Sequence, residues 1–572
     1  MKLECVKNIV KGLSPLLIII VVIIPYALRA QSQNNNWLFG NGAGINFNGT
    51  GVTALTGNAG VSIEGCASVS GEATGELLFY SNGLTIWNRN NDTMVNGTNL
   101  LGGASTSSTQ GVTIVPYPGK AGQYVVFTID ETFNGAGNGF RYSVVDMTRE
   151  GGLGAVISGQ KNILVQTNTT ERLAVARKQD GSGYWIVIHE RNNNVFKAYE
   201  LGWAGLESTP VVSTAGTIHS TAPQPDGDGT MGYMKMNNAG NKIAVAIYAQ
   251  NKIDLLDFDN CSGVVADNKS ITTIDHPYGI EFSPDDQQLY FSVYYNAGFS
   301  GIIYQANMTT LSTVVAGISS SYNNQCVGAL QCGPNNKIYV TINSESWLSA
   351  IDKPNEPGPA CTFIDKAVLL PNNGLFPRTG LLGLPASVPA AISSDQTWRI
   401  TVTDSCADKP IALQLTPTTG INNLAWAFGD GAYQYNADLS GQAIHSYGSG
   451  GYYSVQAIAE RTCGGTDTIA AAVTIAGCDS NNCVVTVPGA FTPNNDGLND
   501  ALKPVITCPA LSKYGFHIYN RWGEMVFSAD QVNQAWNGTY KQQNCDLGCY
   551  NYLLTYYTDK QHTLTGTITL LR

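Results

Sequence analysis

The sequence predicts an all-β protein: an N-terminal six- or seven-bladed β-propeller followed by two Ig-like β-sandwich domains. Three observations carry that expectation. Charged residues are only 13% of the 572, while glycine supplies 62, a balance that suits short strands joined by turns rather than long helices with paired charges. A weak unit recurs from about Trp37 to Pro389. Beyond about residue 395 the repeat stops and longer alternating strands take over. A chain of this length exceeds one ordinary core, so two to four domains are expected.

The repeat sets the first element. "DGSGYWIVIHERNNNVFKAYEL", "NAGNKIAVAIYAQNKIDLLDFD", "SPDDQQLYFSVYYNAGFSGIIYQAN" and "GPNNKIYVTINSESWLSAID" each give a polar turn, an apolar strand, a second turn and a strand ending near an acidic or polar residue. Lys242, Gln288 and Lys337 fall in equivalent places, 46 and 49 residues apart. A unit of about 40–50 residues with four strands is the signature of propeller blades. Six units are clear, and "NNWLFGNGAGINFN" joining strand material near "AVLLPNNG" would close a seventh. A row of separate sandwiches also gives evenly spaced short strands, but its period is roughly twice as long.

Ahead of the repeat stands an export signal. Lys2, Lys7 and Lys11 form a basic start, "PLLIIIVVIIPYAL" an apolar run and "ALRA" a small-residue end, placing cleavage after Ala30. The strictly apolar run Leu16–Ile24 is nine residues, against about 20 for a spanning helix, so no transmembrane anchor is expected in the mature chain. Twelve cysteines remain after cleavage, and an even count in an exported chain points to disulfides. Five precede residue 400 and seven follow it, so either one bridge crosses between regions or each region keeps a free thiol. A net charge of -11 argues against nucleic acid, which needs a basic face.

Family resemblances refine the plan. "NNWLFGNGAGINF", "GCASVS", "GELLFYSNGLTIWNRN" and "STQGVTIVPYPG" resemble the N-terminal part of large exported proteins of Bacteroidetes-type bacteria, a group without a settled activity. "LAWAFGDGAYQYN" and "HSYGSGGYYSV" resemble a PKD domain, with Trp426, Phe428, Gly429, Asp430 and Gly431 on its signature. Trp426 and Phe428 alternate with exposed positions and fill a sandwich core, and glycine suits the tight turn that follows. Cys406 and Cys463 are placed as facing disulfide candidates. "VPGAFTPNNDGLND", "FHIYNRWGEMVF", "WNGTY", "LGCYNYLLTYY" and "GTITLLR" resemble the type B (gliding-motility-associated) C-terminal sorting domain of the type nine secretion system. The motif positions are Phe491, Pro493, Asn494, Asp496, Gly497, Asn499 and Asp500, then Tyr519, Asn520, Arg521, Trp522 and Gly523, then Trp536 and Gly538. The expected organisation is 1–30 signal peptide, 31–392 propeller, 393–478 PKD domain and 483–572 sorting domain.

Chemistry is sparse. Asn494, Asp496 and Asp500, with Asn499 beside them, space oxygen ligands around Gly497 as a calcium loop does, but Asn-Asp-Gly is equally a turn whose side chains cap their own backbone. The turn reading is preferred; calcium stands as the minor alternative, and no other cofactor is expected. Two carboxylates at fixed separation would suffice to hydrolyse a glycosidic bond. Glu64, Asp130, Glu190, Asp257, Glu281 and Asp285 all qualify, so no pair is selected. His189 has no second histidine at strand spacing, and Asp275 beside His276 would face the opposite way on a strand. Tyr and Trp near strand ends in "YWIVIHE", "SVYYNAGF" and "YVTINSESW" either stack on ligands or pack between blades. The resemblance to sorting domains implies the type nine machinery as partner and a surface or extracellular destination. The expected role is a non-enzymatic binding or adhesion module for polysaccharide or protein, linked to gliding, with a secreted carbohydrate-active or peptide-cleaving enzyme as the alternative.

Overall fold

The computed structural model describes residues 32–571 apart from 50, 56–58, 104–105, 133–136, 222–228, 295–300, 320–325, 371–378, 393–397, 403–406, 408, 417–419, 436, 477–483, 508–510, 512 and 559. The signal segment with Ala30, both expected junctions, Cys406 and Cys483 lie outside these residues. The protein is all-β: the described helices are short 3-10 turns.

Seven antiparallel sheets follow one another through residue 369 among the described residues. The last three each run strictly in order, four strands apiece, over 234–272, 277–318 and 327–369. The repeat explains itself in the register. Lys242 and Gln288 open the second strand of their sheets, opposite Asp257 and Asn307 at or near the end of the third, and Lys242 reaches Asp257 at 2.7 Å. Lys337, one residue ahead of its strand, pairs with Asp352. The acidic or polar residue near the end of each unit is thus the cross-strand partner of the polar residue that opens its central hairpin.

Successive first strands lie against each other: Leu173–Arg177 contacts Met234–Met236, which contacts Pro277–Phe282, which contacts Val327–Cys332. The circle closes at its seam, where Gly51–Ala54 meets Phe363–Leu369. Its closing segment differs from the expected one. "AVLL" belongs to the outer strand of the seventh sheet, and the chain from 379 to 388 returns beside the first sheet instead. Asn41 N donates to Thr379 O at 3.0 Å, Leu382 N to Ile63 O at 2.8 Å, and Val388 N to Asn34 Oδ1 at 2.8 Å. An outer strand is already paired on one side and faces the neighbouring sheet, so the following segment is free to take the inner place. The whole is propeller-like, with side chains of the first, fifth, sixth and seventh sheets sharing one apolar cluster.

Residues 399–475 form two antiparallel sheets, of three and four strands. Ile411, Leu413 and Leu415 from one and Leu424, Trp426, Val455 and Ala457 from the other make their common core. Trp426 is fully buried and Phe428 nearly so. Gly429 and Gly431 take φ of 83° and 95°, and a side chain at Gly429 would collide with the backbone of Ser454. The last module, 485–570, is a five-stranded sheet with two two-stranded ribbons. Its sheet is antiparallel except for Ala490–Phe491, which runs parallel to the end of Gln561–Leu570.

Candidate functional site

Two places concentrate the residues singled out by sequence. In the C-terminal module, the separate motifs meet. Trp536 is buried, with its ring 5.2 Å from that of Phe491 and 5.0 Å from that of Tyr550, and its indole N–H donates to Thr539 O at 3.0 Å. Gly538 has φ of 73°, and a Cβ there would press on Pro493 Cγ, Leu570 Cδ1 and Phe491. "FTP", "WNG" and the terminal strand are therefore faces of one contact, which only a glycine at that point permits. "NRWGE" is the opposite case. Asn520 Oδ1 accepts from Trp522 N and Glu524 N, Gly523 turns the chain, and the Trp522 ring stands 85% exposed. Tyr519 and Arg521 flank that turn. Asn520, Arg521 and Trp522, with Tyr540, Leu547 and Tyr550, line a surface cavity of about 290 Å³.

The loop from Phe491 to Asp500 forms as a turn. Asp500 Oδ1 accepts from Asn494 N (3.0 Å) and Asn495 N (2.6 Å), and Oδ2 accepts from Gly497 N (2.8 Å). Asn494 Oδ1 accepts from Asp496 N, and Asp496 Oδ1 from Leu498 N. Thr492 N bonds Asn499 O at 3.0 Å to close it. The oxygens proposed as calcium ligands are turned onto backbone N–H groups, the Asx pattern of a self-capped turn. Among the described residues, no group of three or more His, Cys, Asp or Glu is arranged to hold a metal ion.

The second place is where the seven sheets converge. Of the six carboxylates offered by sequence, five are engaged. Asp130 caps the turn at Glu131 N and Asn138 N. Glu190 pairs with Lys197 at 2.7 Å, Asp257 with Lys242, and Glu281 with Lys235 at 3.0 Å. Asp285 accepts from Ser283 Oγ and Gln287 N. Glu64 differs: it is 4% exposed and its Oε2 has no hydrogen-bond partner. Burial, the nearby charge of Glu171 and that of Glu131 hold its carboxyl well above the usual range, against a smaller opposite pull from the Tyr278 hydroxyl. That hydroxyl is fully buried and lies outside hydrogen-bonding geometry.

Glu171 is buried too but fully engaged. Its Oε2 accepts from Thr109 N (3.0 Å) and Thr109 Oγ1 (2.8 Å), and its Oε1 from Thr132 N (2.8 Å) and Thr132 Oγ1 (2.9 Å). Burial raises its pKa while these four bonds oppose the rise. Arg172 is the next residue. Its guanidinium donates to the carbonyls of Gly229, Met231 and Ala246 and meets His219 Nδ1 at 3.1 Å. His219 stacks on His189 with ring centres 3.6 Å apart, so the fold supplies the second histidine that strand spacing did not. Burial, then Arg172, takes His189 down to about 3, and His219 is likewise held well below the ordinary value by burial, His189 and Arg172. Both rings are neutral at physiological pH. Asp275 and His276 do touch, Nδ1 to Oδ1 at 2.5 Å, because they sit in a bend ahead of the strand Pro277–Phe282 rather than on it.

Sequence reading missed Glu131, Glu171, Tyr278 and their threonines. The available signal was phase: Glu64, Thr109 and Glu171 each lie two or three residues before the first strand of three consecutive sheets, and Tyr278 is the second residue of the first strand of the sixth. The aromatic strand ends chiefly pack inside. Tyr184, Trp185, Tyr290 and Tyr339 are buried, and Trp185 donates across to Asn260 O of the next sheet at 2.9 Å.

The disulfide candidate Cys406–Cys463 is corrected. Cys463 bonds Cys261, 202 residues away, with Cα atoms 4.9 Å apart. Both cysteines sit in hairpin turns, 259–264 and 461–466, and tips of hairpins from two modules can meet without disturbing either sheet. Gly420 packs on Asp180 at the same junction. Cys66, Cys326, Cys332, Cys361 and Cys549 are thiols; burial pushes Cys332 up to about 12 and Cys66 further, the behaviour of small apolar core residues.

Residues 485–570 match the family model of the CHU_C type IX secretion signal domain. A comparison with curated protein sequences finds no match. Among solved structures, a protein from Lactobacillus plantarum is 12% identical over 72% of this chain and 96% of its own, with a TM-score of 0.32. The periplasmic gluconolactonase of Pseudomonas aeruginosa is 12% identical over 62% and 96%, with a TM-score of 0.29. Among the described residues no helix is long and apolar enough to cross a membrane. The C-terminal module is thus similar to type IX secretion signal domains, and the protein that carries it engages the type IX machinery and is exported to the cell surface or the extracellular space.

Proposed function

We propose that the protein is a type IX substrate whose passenger, a seven-bladed propeller, is a binding and adhesion module at the cell surface, in support of gliding. In this reading 399–475 is a PKD-type spacer and 485–570 a type B sorting domain. The supporting observation is that the sorting motifs, dispersed over about eighty residues of sequence, assemble into one core around Trp536 and Gly538 while leaving Trp522 free to be read. Deleting 483–572 is expected to strand the protein in the periplasm; normal secretion of the truncated chain overturns the sorting assignment. A binding screen of the secreted protein against polysaccharides and proteins tests the passenger role, and a blank screen overturns it.

Binding is favoured over hydrolysis by the state of the two central acids. Each oxygen of Glu171 already accepts two hydrogen bonds, which occupies the lone pairs a nucleophile or general base would need. The Glu64–Glu171 pair therefore lacks the second working carboxylate of a glycosidase.

A further inference from the structure

The geometry points to a receptor for a primary alkylammonium group, such as a lysine side chain, at the centre of the propeller, built on Glu64, Ser108 and Tyr278. This rests on the binding-module reading and names its ligand chemistry.

Three oxygens there are buried and lack a hydrogen-bond partner: Glu64 Oε2, Ser108 Oγ and the Tyr278 hydroxyl. They come from three sheets brought together where first strands converge. Gly65 N donates to Ser108 O at 3.0 Å, which fixes the Glu64 and Ser108 segments side by side. Tyr278 approaches from the sixth sheet, close enough to Glu64 and Glu171 for each to influence its ionisation. Leaving even one buried polar group unsatisfied is costly, so three together mark a place shaped for something else to bond.

Charge selects what that is. Glu64, Glu131 and Glu171 crowd one low-dielectric region, and among the described residues neither Glu64 nor Glu171 forms an ion pair. The adjacent cation, Arg172, is spent on main-chain carbonyls. An ammonium carries three donors and no acceptor, which complements three unpartnered oxygens. A metal ion fits less well, because Glu171 has no free lone pair left to give it. A slender alkyl stem suits a site whose groups are at most 4% exposed.

The test is thermal melting and calorimetry of the full mature chain with n-butylammonium, and with tetramethylammonium and calcium chloride as controls. n-Butylammonium is expected to bind and raise the melting temperature, while tetramethylammonium, which has no N–H, does not. Glu64→Gln is isosteric and removes the ionisable group from a buried, acid-crowded place, so it is expected to melt no lower than wild type yet bind the amine about tenfold to a hundredfold more weakly. Tyr278→Phe is expected to weaken binding several-fold. No response of wild type, an equal response of Glu64→Gln, or a response to calcium in place of the amine each overturns the assignment. A lysine-containing peptide and glucosamine then separate a protein source of the amine from an amino-sugar source. Failure here leaves the secretion result and any ligand from the wider screen standing, whereas a blank screen removes the binding module itself.

Discussion

Asp500 and Glu64 are both carboxylates in loops, and they are opposites. Asp500 is half-exposed and held by three backbone N–H groups supplied by residues three to six positions earlier in its own loop. Glu64 is buried, faces two other acids, and its nearest relevant neighbours are 44 to 214 positions away. A carboxylate satisfied by its own loop stabilises a turn. One surrounded by the ends of other sheets is left with an unmet requirement, and that requirement is what a ligand can fill.

The contrast has a third member that makes it quantitative. Glu171 is as buried as Glu64 and as well bonded as Asp500. Glu171→Ala strands two backbone N–H groups and two hydroxyls at once, so it is expected to cost about 3–5 kcal/mol in urea unfolding. A loss below about 1 kcal/mol would show that the four bonds are not formed together and would break the distinction between the two buried acids.

Glu64 is expected to show its strain through pH. Burial, Glu171 and Glu131 raise its pKa in the folded state above the unfolded value near 4.5. The folded protein then holds this proton more tightly than the unfolded chain does. The stability linked to it is fully present below the unfolded value and is lost as pH rises from there through the folded value. Glu64→Gln has no such proton, so its advantage over wild type is expected to widen steadily above about pH 4.5, read as the difference in urea midpoint. Glu171 and Tyr278 are present in both proteins, but their coupling to Glu64 is lost with the acid, so the difference reports the Glu64 proton together with that coupling. A gap that stays constant with pH would mean that Glu64 is neither desolvated nor crowded by the other acids in the folded protein.

These cases also mark what the sequence could tell. The strand period, the pairing of Lys242 with Asp257, the buried Trp426 and the turn at 494–500 are local, and each follows from residues a few positions to two strands apart. Cys463 shows the limit. Its partner Cys261 lies in a different module, and no spacing rule prefers it over Cys406. The same holds for the acid cluster, where six qualifying carboxylates could be reduced to one only by seeing which five had found partners. The closing segment at 379–388 was hidden for a related reason: "LLGLPASV" has no polar alternation, because its residues from Leu382 to Pro385 are all buried. The bridge has its own test. With a protease site placed at residue 395, the cut halves are expected to stay joined on a non-reducing gel and to separate after reduction. Cys463→Ser separates under both conditions, and wild-type halves that part without reductant would refute the cross-link.

The smallest effect is expected at the turn itself. Asp500→Ala removes one acceptor from three N–H groups, but the loop is open to water, which takes over much of that bonding. The expected cost is about 1–2 kcal/mol, confined to unfolding of the C-terminal module. Because both Asp500 oxygens already face amide hydrogens, a chelator is expected to leave the wild-type melting temperature unchanged; a fall on chelation that calcium restores would instead make this loop a metal site. Asp500→Asn sharpens the point. An amide keeps one oxygen for the Asn494 and Asn495 N–H groups but presents an N–H₂ to Gly497 N, so it is expected to fall between aspartate and alanine. If Asn and Ala are equally costly, charge rather than acceptor geometry holds the turn, and the resemblance between Asp500 and Glu171 is weaker than their bonding patterns imply.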